Sequence, residues 1–184
     1  MAKKKLVEQK TIVICHGACE QAFVRNIAQT LKIRVITYTS NNGKSSIQIN
    51  GLAKELNSLR RKNPDLKKKI RGNLNIFILM DLDDVELTSQ KISDYRNGVL
   101  FKDDPLKSYI TPLFNDRNFD EVLNELGYKI CTSKSKPLQY DKLFKCFDNN
   151  LNFVKEWHQR FSKCNSTNVE LLLKHFLWLY ENRK

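Results

Sequence analysis

No stretch of this 184-residue chain approaches the ~18 consecutive apolar residues of a membrane span. The opening MAKKKLVEQK is basic, but no apolar segment follows it, so it does not read as a secretory leader. The five cysteines, at 15, 19, 131, 146 and 164, are odd in number and scattered, which argues against a disulfide framework. They fit a reducing compartment, where cysteine serves mostly as a small core residue. Repeats and low-complexity segments are missing as well. Negative charge is in short supply: 20 Asp and Glu face 32 Lys and Arg, a formal net charge of +12. These absences argue against a membrane-spanning helix and a disulfide scaffold, and they lead us to expect a soluble, cytoplasmic protein.

What is present suits one domain, or one domain with a small appendage. Hydrophobic residues make up 41% of the chain, enough for a sizeable core, and the 28% charged residues are ordinary. The excess positive charge is concentrated. LRRKNPDLKKKIRG (59–72) carries Arg60, Arg61, Lys62, Lys67, Lys68, Lys69 and Arg71 against Asp65 alone. Such a run is either a solvated loop or a phosphate-backbone contact surface, since clustered Lys and Arg displace counterions from nucleic acid.

Along the chain, strand and helix patterns alternate. TIVICHG (11–17) is a continuous apolar run ending in glycine, as in a strand buried on both faces. Phe23, Val24, Ile27, Ala28 and Leu31 then form a helical stripe. IRVITYT (33–39) reads as a second strand and NNGKSS as a loop opening a helix that runs to about Leu59. NIFILMD (75–81) is the central strand, and a helix follows near 86–97. YITPLF (109–114) is a fourth strand that Pro112 confines to an edge or an end. NFDEVLNELG is a short helix closed by Gly127, and YKICT (128–132) a candidate fifth strand. The tail is helical, with Thr167 and Glu170 spaced as a capping box for the last helix. This order predicts an α/β fold: an open, mainly parallel sheet with helices on both faces, plus a C-terminal helical appendage. The expected divisions are a basic tail 1–10, a core 11–135 and a helical extension 136–184.

The chemistry gathers where the central strand ends. An apolar run stops at Asp81, Asp83 and Asp84, three aspartates in four positions. Ligands of parallel α/β sheets collect at the carboxyl ends of strands. Asp83, two residues beyond Asp81, shares its face if the chain stays extended. Close carboxylates repel, and a divalent ion such as Mg²⁺ (or Mn²⁺) relieves that conflict. Helix capping by Asp83 or Asp84 accounts for one aspartate but not three. Glu20, in HGACE, lies one turn after Gly17 at the end of the first strand and reaches the same edge if the two strands are neighbours. A glutamate in a first helical turn is also favoured by the macrodipole alone.

A glycine-turn acid on one strand and an aspartate pair on another resemble the Toprim fold of topoisomerases, bacterial primases and small ribonucleases. Asp81-Leu82-Asp83 matches its D-x-D motif. The family's glutamate directly before the glycine is replaced here by His16. Within the superfamily the chain looks most like RloB-like and overcoming-lysogenization-defect nucleases of phage defence, in some of which a second acid follows the glycine turn. Glu20 fits that acid. RNFDEVL (117–123) is similar to their later N-x-x-F/L-E motif through Asn118, Phe119 and Asp120 or Glu121. The resemblance spans residues 11 to about 130. It implies a Mg²⁺- or Mn²⁺-dependent nuclease acting on DNA or RNA, with Glu20, Asp81 and Asp83 catalytic and the same three plus Asp120 around the metal. It also implies an ATPase partner protein in some systems and leaves a homo-oligomer open. A non-catalytic nucleic-acid-binding module on the same fold is the alternative.

MDLDDV also resembles the nucleophile loop of haloacid-dehalogenase-type phosphatases, with Asp81 attacking phosphorus and Asp83 protonating the leaving group. That family places its nucleophile strand first, whereas two strand–helix units precede Asp81. Gly43-Lys44-Ser45 suggests a P-loop, but the glycine required five residues earlier is Tyr38. Lys44 is then a candidate phosphate contact for nucleic acid. Cys15, His16 and Cys19 lack the fourth ligand of a structural zinc site. His158 and His175 sit in helical, partly apolar surroundings, as packed histidines do.

Overall fold

The structure, a computed structural model, describes residues 10–43, 45–63, 74–83, 87–128, 144 and 150–183. Four strands form one parallel sheet: β1 (Lys10–Cys15), β2 (Val35–Tyr38), β3 (Leu74–Asp81) and β4 (Ile110–Asn115), in the order β2-β1-β3-β4. The register sets Cys15 beside Leu79 and Asp81 beside Asn115. The expected α/β class and open parallel sheet are therefore observed. The central strands β1 and β3 are buried almost throughout, which is why they read as unbroken apolar runs rather than alternating ones.

Alternate side chains of the central strands feed two cores. On one face, Val13, Cys15, Phe77, Leu79 and Leu113 pack with α1 (Ala18–Thr30), α4 (Phe119–Glu125), α5 (Leu151–Phe161) and α6 (Glu170–Glu181). On the other, Ile12, Ile14, Ile76, Ile78 and Met80 pack with α2 (Leu52–Lys62), α3 (Ser89–Arg96) and the short 3₁₀ turns between them and the strands. All five residues of the stripe from Phe23 to Leu31 are buried. Phe23 lies within 5.2–5.7 Å, ring to ring, of Phe119, Phe144, Trp157 and Phe161. The C-terminal helices thus complete the main core instead of resting on its surface. Burying Trp157, Phe161 and Phe176 contributes roughly 2–3 kcal/mol each before entropy is counted.

Pro112 lies in β4, the edge strand, as its missing N–H requires. Outside β4, the chain at 166–168 is clipped along it: Asp116 N donates to Ser166 O at 2.7 Å and Asn168 N to Phe114 O at 3.3 Å. The Asn168 amide completes the clip, accepting from Phe114 N at 2.7 Å and donating to Pro112 O at 3.2 Å. The capping box expected from Thr167 and Glu170 does not form. Helix α6 begins at Glu170 with Val169 as N-cap and no side-chain cap. Thr167 is drawn instead to β4, where its hydroxyl meets Phe114 O and Asn115 Oδ1.

Gly127, at φ +88°, ends α4 as anticipated. YKICT from residue 129 onward, the boundary at 135/136 and the basic tail before Lys10 lie outside the described residues. Among the described residues no helix is long and apolar enough to cross a membrane.

On the second face, fully buried Tyr95 points its hydroxyl between β3 and β4, 2.6 Å from Ile78 O and 2.8 Å from Leu113 O. Tyr95→Phe removes this donor while keeping the ring. It is expected to cost about 1–2 kcal/mol in urea unfolding with an unchanged m-value.

Candidate functional site

In the order β2-β1-β3-β4, the chain leaves β1 toward one side of the sheet and β3 toward the other. The carboxyl ends of β1 and β3 therefore bound the crevice where ligands of such sheets bind. The loops after these strands carry the residues singled out in the sequence.

Glu20 is the third residue of α1 and is only 3% exposed. Its Oε2 accepts from Gly17 N at 2.9 Å, so it caps its own helix. The approach is close: a Cβ at position 17 would lie 3.2 Å from Glu20 Oε2 and would push the carboxylate back by a few tenths of an ångström. A capping carboxylate at a surface helix end is normally stabilised as an anion. Here burial dominates and, with the charges of Asp120 and Asp83, outweighs the backbone donors, so Glu20 is pushed up to about 7.

Asp81 ends β3 and is 7% exposed. Its Oδ1 accepts from Asn115 Nδ2 at 2.8 Å, the neighbour that parallel register provides, and its Oδ2 from Phe119 N at 3.4 Å. Burial again leads, followed by repulsion from Glu20; the Asn115 amide and His16 pull the other way, and the balance lifts Asp81 to about 7. Asp83 is exposed and accepts from Asn118 Nδ2 at 3.3 Å. Asn118 in turn caps α4, its Oδ1 taking Glu121 N at 3.0 Å. Asp120, in the first turn of α4, completes a field of carboxylates that act on one another.

The structure thus sets Glu20 within electrostatic range of Asp81, Asp83 and Asp120, and Asp81 within range of Asp83, at one strand edge. Among the described residues, however, no three His, Cys, Asp or Glu side chains close into a ready metal cage. The donors still suit a hard cation: all are carboxylate oxygens, and two are buried with a charge conflict that a divalent ion relieves. His16, which precedes the glycine turn, keeps a buried Nδ1 without a hydrogen-bond partner.

The basic residues distribute differently. Arg60, Arg61 and Lys62 form the last turn of α2. Arg60 Nη1 holds Asp104, in the segment leading into β4, by contacts of 2.8 and 2.7 Å. Lys62 sits 5.3 Å from the ring centre of Tyr38, and Arg61 and Lys62 are exposed. Lys44, Lys67, Lys68, Lys69, Arg71 and Asp84 lie outside the described residues. His175 is packed, as anticipated: it meets Thr11 Oγ1 at 2.9 Å and the Phe77 ring at 5.0 Å, and burial lowers its pKa.

Comparison with protein-family models, with curated proteins and with solved structures found no significant match. The site must therefore be read from its own chemistry.

Residues not singled out from sequence prove central to it. Asn115 is fully buried and bridges Asp81 to Thr167, whose hydroxyl donates to Asn115 Oδ1 at 2.8 Å. One signal existed: an asparagine closing an apolar strand is as unusual as the aspartate closing its neighbour.

The two lifted carboxyls make stability depend on pH. Between the unfolded values of 4.5 and 3.8 and the native value of about 7, the native state holds protons that the unfolded chain has lost. Stability from this pair is therefore full below pH ~4 and declines as pH rises through ~7, by about 1.4 kcal/mol for each unit of separation. Thermal melts should show that fall. At pH 8, Asp81→Asn should melt higher than wild type, by ~2–4 °C for each kcal/mol of repulsion relieved.

Proposed function

We propose that this chain is a Toprim-type nuclease that uses Mg²⁺ or Mn²⁺ to act on DNA or RNA in bacterial anti-phage defence. The observation that carries the reading is the buried pair Glu20 and Asp81 at the carboxyl edge of β1 and β3, both uncomfortable as anions without a cation. D-x-D at Asp81 and Asp83, the acid after the glycine turn and the Asn118 segment all border that edge, where the Toprim resemblance expects them. The replacement of the preceding glutamate by His16 is the departure that makes a non-catalytic binding module the alternative.

In this account Glu20, Asp81, Asp83 and Asp120 are the residues that would hold the ion. A bound divalent ion supplies polarisation of the scissile phosphate and acidifies the attacking water. The protein's own contribution is orientation. Asn115 and the Phe119 N–H fix the Asp81 carboxylate, and the Gly17 N–H fixes that of Glu20. Arg61 and Lys62, exposed in the last turn of α2, would contact phosphates of the bound strand. An ATPase partner belongs to the same reading, by kinship alone.

Purified protein should cleave single-stranded DNA, duplex DNA or RNA with Mg²⁺ or Mn²⁺ and not with EDTA. Asp81→Asn should lower the rate by at least 10²-fold and leave nucleic-acid affinity within about threefold. Turnover of a small phosphomonoester without cleavage of nucleic acid would favour the phosphatase chemistry with Asp81 as nucleophile. Salt-sensitive binding with neither activity would favour the binding module. Equal cleavage by wild type and Asp81→Asn would defeat the nuclease reading.

A further inference from the structure

A buried hydrogen-bond relay runs from the C-terminal segment to the candidate metal carboxylate. Thr167 Oγ1 lies 2.8 Å from Asn115 Oδ1, and Asn115 Nδ2 lies 2.8 Å from Asp81 Oδ1. The three residues are 6%, 0% and 7% exposed. Asn115 gains its place from the register of β4 against β3, and Thr167 from the antiparallel bridge to Asn115. An asparagine amide can turn by 180° and exchange its carbonyl for its NH₂. Were it turned here, a carbonyl oxygen would face Asp81 and an NH₂ group would face the threonine hydroxyl. The Thr167 hydroxyl has a single proton and two acceptors in reach, Phe114 O at 2.9 Å and Asn115 Oδ1 at 2.8 Å; directed at the amide carbonyl, that proton opposes the turn.

We propose that Asn115 and Thr167 are positioning residues for Asp81: the threonine hydroxyl fixes the amide, and the amide presents one carboxylate oxygen and leaves the other lone pairs for a divalent cation. The effect on cation affinity rests on the nuclease reading; the fixing of the amide does not. It also gives the C-terminal extension a role at the site beyond core packing. Residues behind metal ligands typically change metal affinity by ~10–100-fold when removed.

The test uses Thr167→Val, which keeps the shape and loses the hydroxyl, and Thr167→Ser, which keeps the hydroxyl. The first readout needs no metal: the Asn115 side-chain amide protons in NMR spectra. A downfield, slowly exchanging proton bonded to carboxylate is expected in wild type and Thr167→Ser and should be lost in Thr167→Val. The second readout is Mn²⁺ affinity by electron paramagnetic resonance. It should fall about tenfold in Thr167→Val and by less than twofold in Thr167→Ser. If Thr167→Val loses thermal stability yet keeps the wild-type amide signal and Mn²⁺ affinity, the positioning role is overturned and the threonine is merely structural. If wild type binds no Mn²⁺ while the amide signals behave as expected, the relay stands and the metal-dependent reading falls.

Discussion

Two carboxylic acids held out of water at one strand edge ionise together only at a cost in stability, unless something positive lies between or beside them. The arrangement of this molecule around β1 and β3 follows from that constraint. Parallel pairing places Asp81 level with Asn115, and the turn at Gly17 lets Glu20 fold back to within hydrogen-bonding distance of the backbone. Each acid thereby obtains neutral donors, which reduce the cost of its charge without cancelling it. The conflict that remains is the kind that functional sites retain and stable cores remove.

Much of this fold was legible because both central strands are buried on two faces, so TIVIC and NIFILMD stand out without any periodicity argument. Pro112 announced an edge, and Gly127 a helix end. The candidate acids were visible for the same reason: charge at the end of a run that has none is hard to miss. What could not be read was the third dimension. The capping pattern at Thr167 and Glu170 is sound locally, yet a tertiary demand from Asn115 and the Phe114 carbonyl claims the threonine. Local spacing cannot reveal a partner 52 residues away.

The basic stretch shows the same limitation in another form. A row of Lys and Arg in sequence suggests one patch, but Arg60 turns inward, its Nη1 touching both carboxylate oxygens of Asp104, and Lys62 lies over the Tyr38 ring at the end of β2.

The clip of residues 166–168 on β4 has a bearing on assembly. Exposed strand edges are where sheets of separate molecules join, since the unpaired N–H and C=O groups of one chain complement those of another. Here Asn168 and its neighbours have already taken the outward groups of Pro112 and Phe114, and proline offers no N–H to a newcomer. A second copy of the protein thus meets covered backbone at Pro112 and Phe114 where a bare edge strand would offer open N–H and C=O groups.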